Sequence, residues 1–375
     1  MLLIKNGYVM TMVGEDIENG SVLIDDNGKI DAIGKHIDIP NNCTVIDAEG
    51  RLVTPGCVEA HCHIGQGADI NETTDPISPQ LRAIDAIDPS NEYLFDAIKG
   101  GVTTGCVGPG SANVVCGTAA VIKFHGTRID KMALMENAAM KCALGENPKK
   151  AYGQNKKSPK TRMASAALLR ELLFKAKEYE KEITNGNEPK FDPKLEAMLP
   201  VIRGQMPLKC HAHRADDIFT SIRIAKEFGV KLTLDHCTEG ALIADELAAE
   251  NYPALVGPFW CGRSKQELKN KSHATAGILH KAGVKIAIIT DAPVIMQERL
   301  TLCAGLAVVA GLPYREGWKA ITINPAQILG VDNRVGSLEK GKDGDVVIWT
   351  CDPLKFINAS AHTTIIDGKV VYRKE

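Results

Sequence analysis

From about residue 52 the chain alternates short apolar runs with longer amphipathic stretches. Eight such runs can be counted: RLVTPGCVEAHCHI, GVTTGCVGPG, AAVIKFHG, AAMKCALGEN, MPLKCHAH, VKLTLDHC, YPALVGPF and VKIAIITDAP. Segments 161–183, 215–229 and 264–283 carry the helical pattern expected between them. Near-continuous apolar strands alternating with helices indicate a parallel sheet covered on both faces. Eight repeats over roughly 280 residues suit a closed (β/α)8 TIM barrel, typically about 250 residues with insertions, better than an open sheet.

The flanks have a different rhythm. LLIKNGYVM, SVLIDD, KIDAIG and CTVIDAEG are short β segments separated by Gly- and Asn-rich turns, and RVGSLEKGKDGDVVIWT and TTIIDGKVVYRK return to that pattern near the end. The expected class is therefore α/β. A TIM barrel over 55–334 would stand beside a small β-sandwich built from both termini, 1–54 and 335–375.

Composition excludes several functions. Apolar residues make up 44% and the formal net charge is -2, with no basic excess to serve a nucleic-acid surface. The most basic stretch, 148–162, reads as a solvated loop. No run is long and apolar enough for a membrane span, and MLLIKNGYVM lacks a signal-peptide core. Eleven cysteines scattered singly favour reduced thiols and a cytoplasmic setting over a disulfide framework.

Chemistry gathers at the ends of the expected strands, where barrel enzymes carry their active sites. The first ends in His61-Cys62-His63. Side chains alternate along a strand, so the two histidines share a face and Cys62 points away. The fifth ends in His211-Ala212-His213, the sixth in Asp235-His236 and the eighth in Thr290-Asp291. Histidines or carboxylates at four strand ends aimed at one mouth point to a metal site. Arg214 could hold a substrate carboxylate through a bidentate pair, and His125, ending the third run, is a second candidate substrate contact. The Gly-rich stretch 108–118 lacks a phosphate-loop pattern and reads as a wall of the mouth.

Over essentially its whole length the sequence resembles the amidohydrolase superfamily. The resemblance is carried by LLIKNGYVMT, VIDAEGRLVTPGCVEAHCHIG, GVTTGCV, VKIAIITDAP and ITINPAQILGVDNRVGSLEKGKDGDVVIWTCDP. It implies that His61 and His63 bind one metal, that His211 and His236 bind a second, and that Asp291 contacts metal and activates water. Relatives join the two ions through a carboxylated lysine or a glutamate. Here Lys141 and Glu146 both qualify, and Glu146 is favoured because it lies at the C-terminal end of its run. Lys123 is a weaker donor. His213 is expected to contact substrate or the developing oxyanion.

The implied cofactor is one or two divalent ions, best Zn²⁺, with Mn²⁺, Fe²⁺ or Co²⁺ able to substitute. Metal-bound hydroxide would attack an amide-type C–N bond, with Asp291 as general base. The closest likeness is to imidazolonepropionase-like and Xaa-Pro dipeptidase-like branches, so the expected substrates are cyclic amides, dipeptides or N-acyl amino acids. Deamination of a heterocycle is the alternative. The glutamate that deaminases of this fold carry shortly after the strand-five histidine is missing here, and His213 occupies the place of an acidic residue found in imidazolonepropionase. An inactive structural relative is a third reading, disfavoured because every expected His and Asp position is filled. The partner is a small-molecule substrate, and a homo-oligomer is compatible with such a fold.

Overall fold

A computed structural model describes all residues of the chain except Asn155, which lies within the basic stretch noted above. Five strands come first: β1 (Leu2–Val9), β2 (Ile17–Ile24), β3 (Ile30–Gly34), β4 (Thr44–Asp47) and β5 (Leu52–Pro55). Eight follow: β6 (Cys57–Cys62), β7 (Val102–Val107), β8 (Val115–Lys123), β9 (Ala133–Ala143), β10 (Leu208–Ala212), β11 (Leu232–His236), β12 (Ala254–Val256) and β13 (Ile286–Ile288). The chain closes with β14 (Val346–Trp349), β15 (Ala361–Ile366) and β16 (Lys369–Arg373).

β6 to β13 pair in strict chain order in one mixed eight-stranded, nearly closed sheet. All eight runs singled out in the sequence contribute one strand each. Inward-facing Val58, Cys106, Val121, Leu255 and Ala287 meet in one apolar cluster across the barrel. Its two edge strands approach through His63 N–H, which donates to the Ala292 carbonyl at 2.8 Å.

The barrel departs from a regular (β/α)8 in one respect. β8 runs antiparallel to both β7 and β9. The connections 108–114 and 124–132 are too short for the crossover of a dozen or more residues that parallel neighbours need. Reversal carries the end of β8 away from the mouth. There the Lys123 ammonium is buried against Asp343 at 2.7 Å, Asp345 at 3.0 Å and Asp367, tying the barrel to the chain's tail.

Helices Arg162–Thr184 and Ala215–Phe228 form as expected, whereas the pattern at 264–283 is helical mainly over Thr275–Ala282. Thr161 caps the first by accepting from Ala164 N–H, and Gly229 ends the second in the left-handed region that glycine adopts without strain. Strands from both termini join in one further sheet, ordered β16-β15-β14-β5-β1-β2-β3 with β4 on β1. Val53, Val346 and Ile348 are buried in its core with Leu2 and Ile24. Among the described residues no helix is long and apolar enough to cross a membrane, and all the cysteines are free thiols.

Candidate metal centre and cleft

Strand alternation places the first residues. On β6, His61 points inward with His63 just beyond, Glu59 reaches the segment after β13, and Cys62 turns toward the Cys106 carbonyl. On β10, Lys209 and His211 face the axis and Cys210 packs outward. Asp235 and His236 are adjacent yet both reach the centre. His236 has φ +71°, in the left-handed region, which breaks the alternation. Asp291 does the same after β13, with φ +55°. Such conformations cost on the order of 1–3 kcal/mol each and cluster at functional sites.

The result is a compact group of buried imidazoles. The His61 ring lies 5.0 Å from that of His63 and 5.1 Å from that of His236, and His211 lies 4.4 Å from His236 and 4.6 Å from His213. Asp291 Oδ1 sits 3.2 Å from both His61 Nε2 and His63 Nε2. Two sets have metal-ligand spacing, His211, His213 and His236, and His61, His236 and Asp291. In each, the ligand atoms lie within 4.8 Å of one another.

The donors fit a divalent cation. Carbonyls can only accept, so those of Gly108 and Gly257, at 2.7 and 2.9 Å, fix the N–H of His63 and His236 on Nδ1. This leaves each Nε2 with its lone pair free. His236 Nε2 and His211 Nδ1 are buried without a hydrogen-bond partner. Buried polar atoms are rarely left so, and a cation would satisfy both. Burial, helped by the charges of His61 and Lys141, pushes the His236 pKa down to about 3. Burial and neighbouring imidazoles hold His211 and His213 well below their usual range. All three are therefore neutral at neutral pH, the form that ligates metal. Burial alone would raise Asp291, but the neighbouring His236, His61 and His63 rings hold it well below the usual carboxylate range.

Lys141 and Glu146 part company. Lys141 is buried at the centre, its Nζ 3.3 Å from His61 Nε2 and 3.4 Å from Asp235 Oδ2. It faces Lys209 in register on β10. Glu146 is not brought to the histidines. The chain leaves β9 at Ala143 and turns at Gly145, φ +90°, so that Glu146 starts the helix Glu146–Gly153 and lines a separate surface depression. A Cβ at Gly145 would come within 2.7 Å of Glu267 Oε1, which fixes that turn.

Two substrate-contact expectations are corrected. His125 is exposed beyond the end of β8, at the opposite end of the barrel, because that strand is reversed. Arg214 lies outside the cleft and pairs bidentately with Asp216 at 2.8–2.9 Å. His213 does line the cleft, its Nδ1 2.8 Å from Thr238 Oγ1.

Sequence reasoning noted Asp235 at a strand end without giving it a role, and passed over Glu59. Asp235 Oδ2 lies 3.0 Å from His61 Nδ1, and its other oxygen accepts from Lys209 Nζ at 3.2 Å. Glu59 accepts from Thr290 N–H and Oγ1, Gln297 Nε2 and His61 N–H, so it holds β6 to the segment after β13. Burial nevertheless pushes its pKa up to about 7. Both residues were detectable as charged residues within otherwise apolar strands.

Above the histidines opens a cleft of ≈ 550 Å³ lined by His63, His211, His213 and Asp291, by Gly110 and Ser111 of the Gly-rich loop, and by Asn147 and Lys265. That volume suits a small molecule. A cavity of the same size at the other end of the barrel carries none of the histidines.

The sequence model of the amidohydrolase family matches residues 201–371. The crystal structure of an amidohydrolase from Thermotoga maritima MSB8 is 39% identical, with 100% of each chain covered and a TM-score of 0.95. Amidohydrolase tasK of Hapsidospora irregularis is 28% identical over 88% of this chain, which spans 37% of that protein's length. A dihydroorotase of Acetivibrio thermocellus is 24% identical, with 100% of this chain and 99% of that one covered.

Proposed function

Because the chain belongs to the amidohydrolase family, we propose that it is a metal-dependent hydrolase cleaving an amide-type C–N bond in a cyclic amide, a dipeptide or an N-acyl amino acid. The observation that carries this reading is the pair of ligand sets sharing His236 beneath one small-molecule cleft. In this account residues 55–334 form the catalytic barrel domain, and 1–54 with 335–375 form a composite β-sandwich domain.

His61, His63 and Asp291 would hold one ion, and His211 and His236 a second. Lys141 takes the joining role in place of Glu146. Lys141 and Lys209 both pair with the one carboxylate of Asp235, so two ammonium groups share a single direct ion-pair partner. Loss of one proton from the Lys141 ammonium frees an amine whose attack on CO₂ would form a C–N bond and release a second proton, which would turn that cation into an anionic carbamate beside His61. When bound, the ions (Zn²⁺ best matched to these donors) acidify water and stabilise an oxyanion.

Asp291 takes the proton of the attacking water and delivers it to the leaving nitrogen. Its position between His61 and His63 fixes which oxygen does so. Asp235 orients His61, the Gly108 and Gly257 carbonyls orient His63 and His236, and Thr238 orients His213 toward the substrate oxygen.

The test is a screen of metal-reconstituted protein against N-acyl amino acids, dipeptides, lactams and amino-heterocycles. Release of an amine or opening of a ring supports the reading. Ammonia released from heterocycles alone would replace it with deamination.

A further inference from the structure

Lys265 lines the cleft together with His211 and Asp291, yet it pairs with no carboxylate among the described residues. Its Nζ donates to Asn147 Oδ1 at 2.9 Å. The nitrogen of the same amide lies 2.8 Å from Ser111 Oγ and 3.3 Å from His211 Nε2. One side-chain amide therefore spans from the ammonium to a candidate metal ligand.

The nearby acids are committed elsewhere. Glu267 accepts from Arg162 Nη2 and from Glu146 N–H, both at 2.7 Å. Asp291 is held between His61 and His63. Glu146 turns into its own depression. A half-buried ammonium facing a ligand cleft without a directly paired carboxylate is costly, and an anionic group on the ligand would relieve that cost. Arg214, the cation expected from the sequence to do this, is already neutralised by Asp216 outside the cleft.

We infer that Lys265, steadied by Asn147, is the subsite for a carboxylate on the substrate, so that the amide cleaved carries its carboxylate close to the scissile nitrogen, as in an N-acyl α-amino acid or a dipeptide. The inference rests on the hydrolase reading above and narrows it. In an α-amino acid amide the carboxylate carbon is joined to the scissile nitrogen through one carbon, which matches a cation one amide group away from the histidines. Neutral lactams and amino-heterocycles leave Lys265 unpaired.

The experiment uses pairs: N-acetyl amino acids and Xaa-Pro dipeptides, each beside its C-terminal carboxamide. The wild type is expected to prefer the free carboxylate. In K265M the ratio of kcat/KM for carboxylate over carboxamide should fall by about 10- to 100-fold, the loss of one charge-assisted hydrogen bond, with most of the change in KM. K265R should restore part of it. Calorimetric binding of N-acetyl amino acids to metal-free protein, where nothing is turned over, should show the same ratio. Equal wild-type rates on both members of each pair, or a K265M variant that slows both alike, would overturn the subsite and leave the hydrolase reading standing. A metal-loaded protein that cleaves no member of the panel, or that only releases ammonia from heterocycles, would overturn both.

Discussion

Lys141 Nζ stands 3.3 Å from His61 Nε2, buried within the barrel, and shares the Asp235 carboxylate with a second lysine. Two ammonium groups that share one carboxylate as direct partner in a water-poor interior favour a change of charge at one of them. Lys141→Ala should therefore lose metal and turnover, with partial rescue of turnover by added short carboxylic acids. Glu146→Gln should keep both. Native mass spectrometry in bicarbonate buffer should find the mass of one CO₂ on the wild type and none on Lys141→Ala. Metal loss in Glu146→Gln with retention in Lys141→Ala would reverse the assignment.

In the proposed hydrolase, Asp291 would move protons rather than merely hold metal. Asp291→Asn should retain most bound metal and lose on the order of 10²–10⁴-fold in kcat. Comparable rates in the variant would remove it from that role.

Asp235 acts through His61, whose Nδ1 it holds at 3.0 Å. Groups that orient a metal-binding histidine in this way are typically worth about 10–100-fold in metal affinity. Asp235→Asn should show that loss in a metal-competition titration. Unchanged affinity would make Asp235 only a counter-ion for the lysines.

How far these roles could be read from the sequence depended on strand periodicity. Alternation along HCH and KCHAH was enough to put His61 with His63 and His211 near His213 while turning Cys62 away. Eight apolar runs became eight neighbouring strands in order. Strand direction was harder to read, because an antiparallel strand and a parallel one have the same apolar pattern; only the short 108–114 and 124–132 connections distinguish them. That reversal is why His125 was misplaced. Glu146 was misjudged because the strand was assumed to continue where Gly145 turns the chain into a helix. The joint approach of Asp235 and His236 depends on a left-handed residue that no periodicity announces.

The same burial sets a pH dependence for the metal-free protein. His61, His211, His213 and His236 all titrate below their ordinary value of 6.5 because burial disfavours the charged ring. The unfolded chain then binds more protons than the folded one as pH falls through about 6.5, so stability drops progressively toward pH 3. Glu59, raised to about 7, acts in the opposite sense and loses stability as pH rises from 4.5. Thermal melts of chelator-treated protein should show Tm falling from pH 7 to pH 4. A flat or rising Tm over that range would contradict the buried, neutral histidines.

His236 belongs to both ligand sets, whereas His63 belongs to neither and only adjoins one through Asp291 at 3.2 Å. The most direct test of the account is elemental analysis of reconstituted, dialysed wild type beside His236→Ala and His63→Ala. The account predicts stoichiometric transition metal in the wild type, partial loss in His63→Ala and near-complete loss in a folded His236→Ala. A wild type that takes up no transition metal, or a His236→Ala variant that keeps all of it, would contradict it.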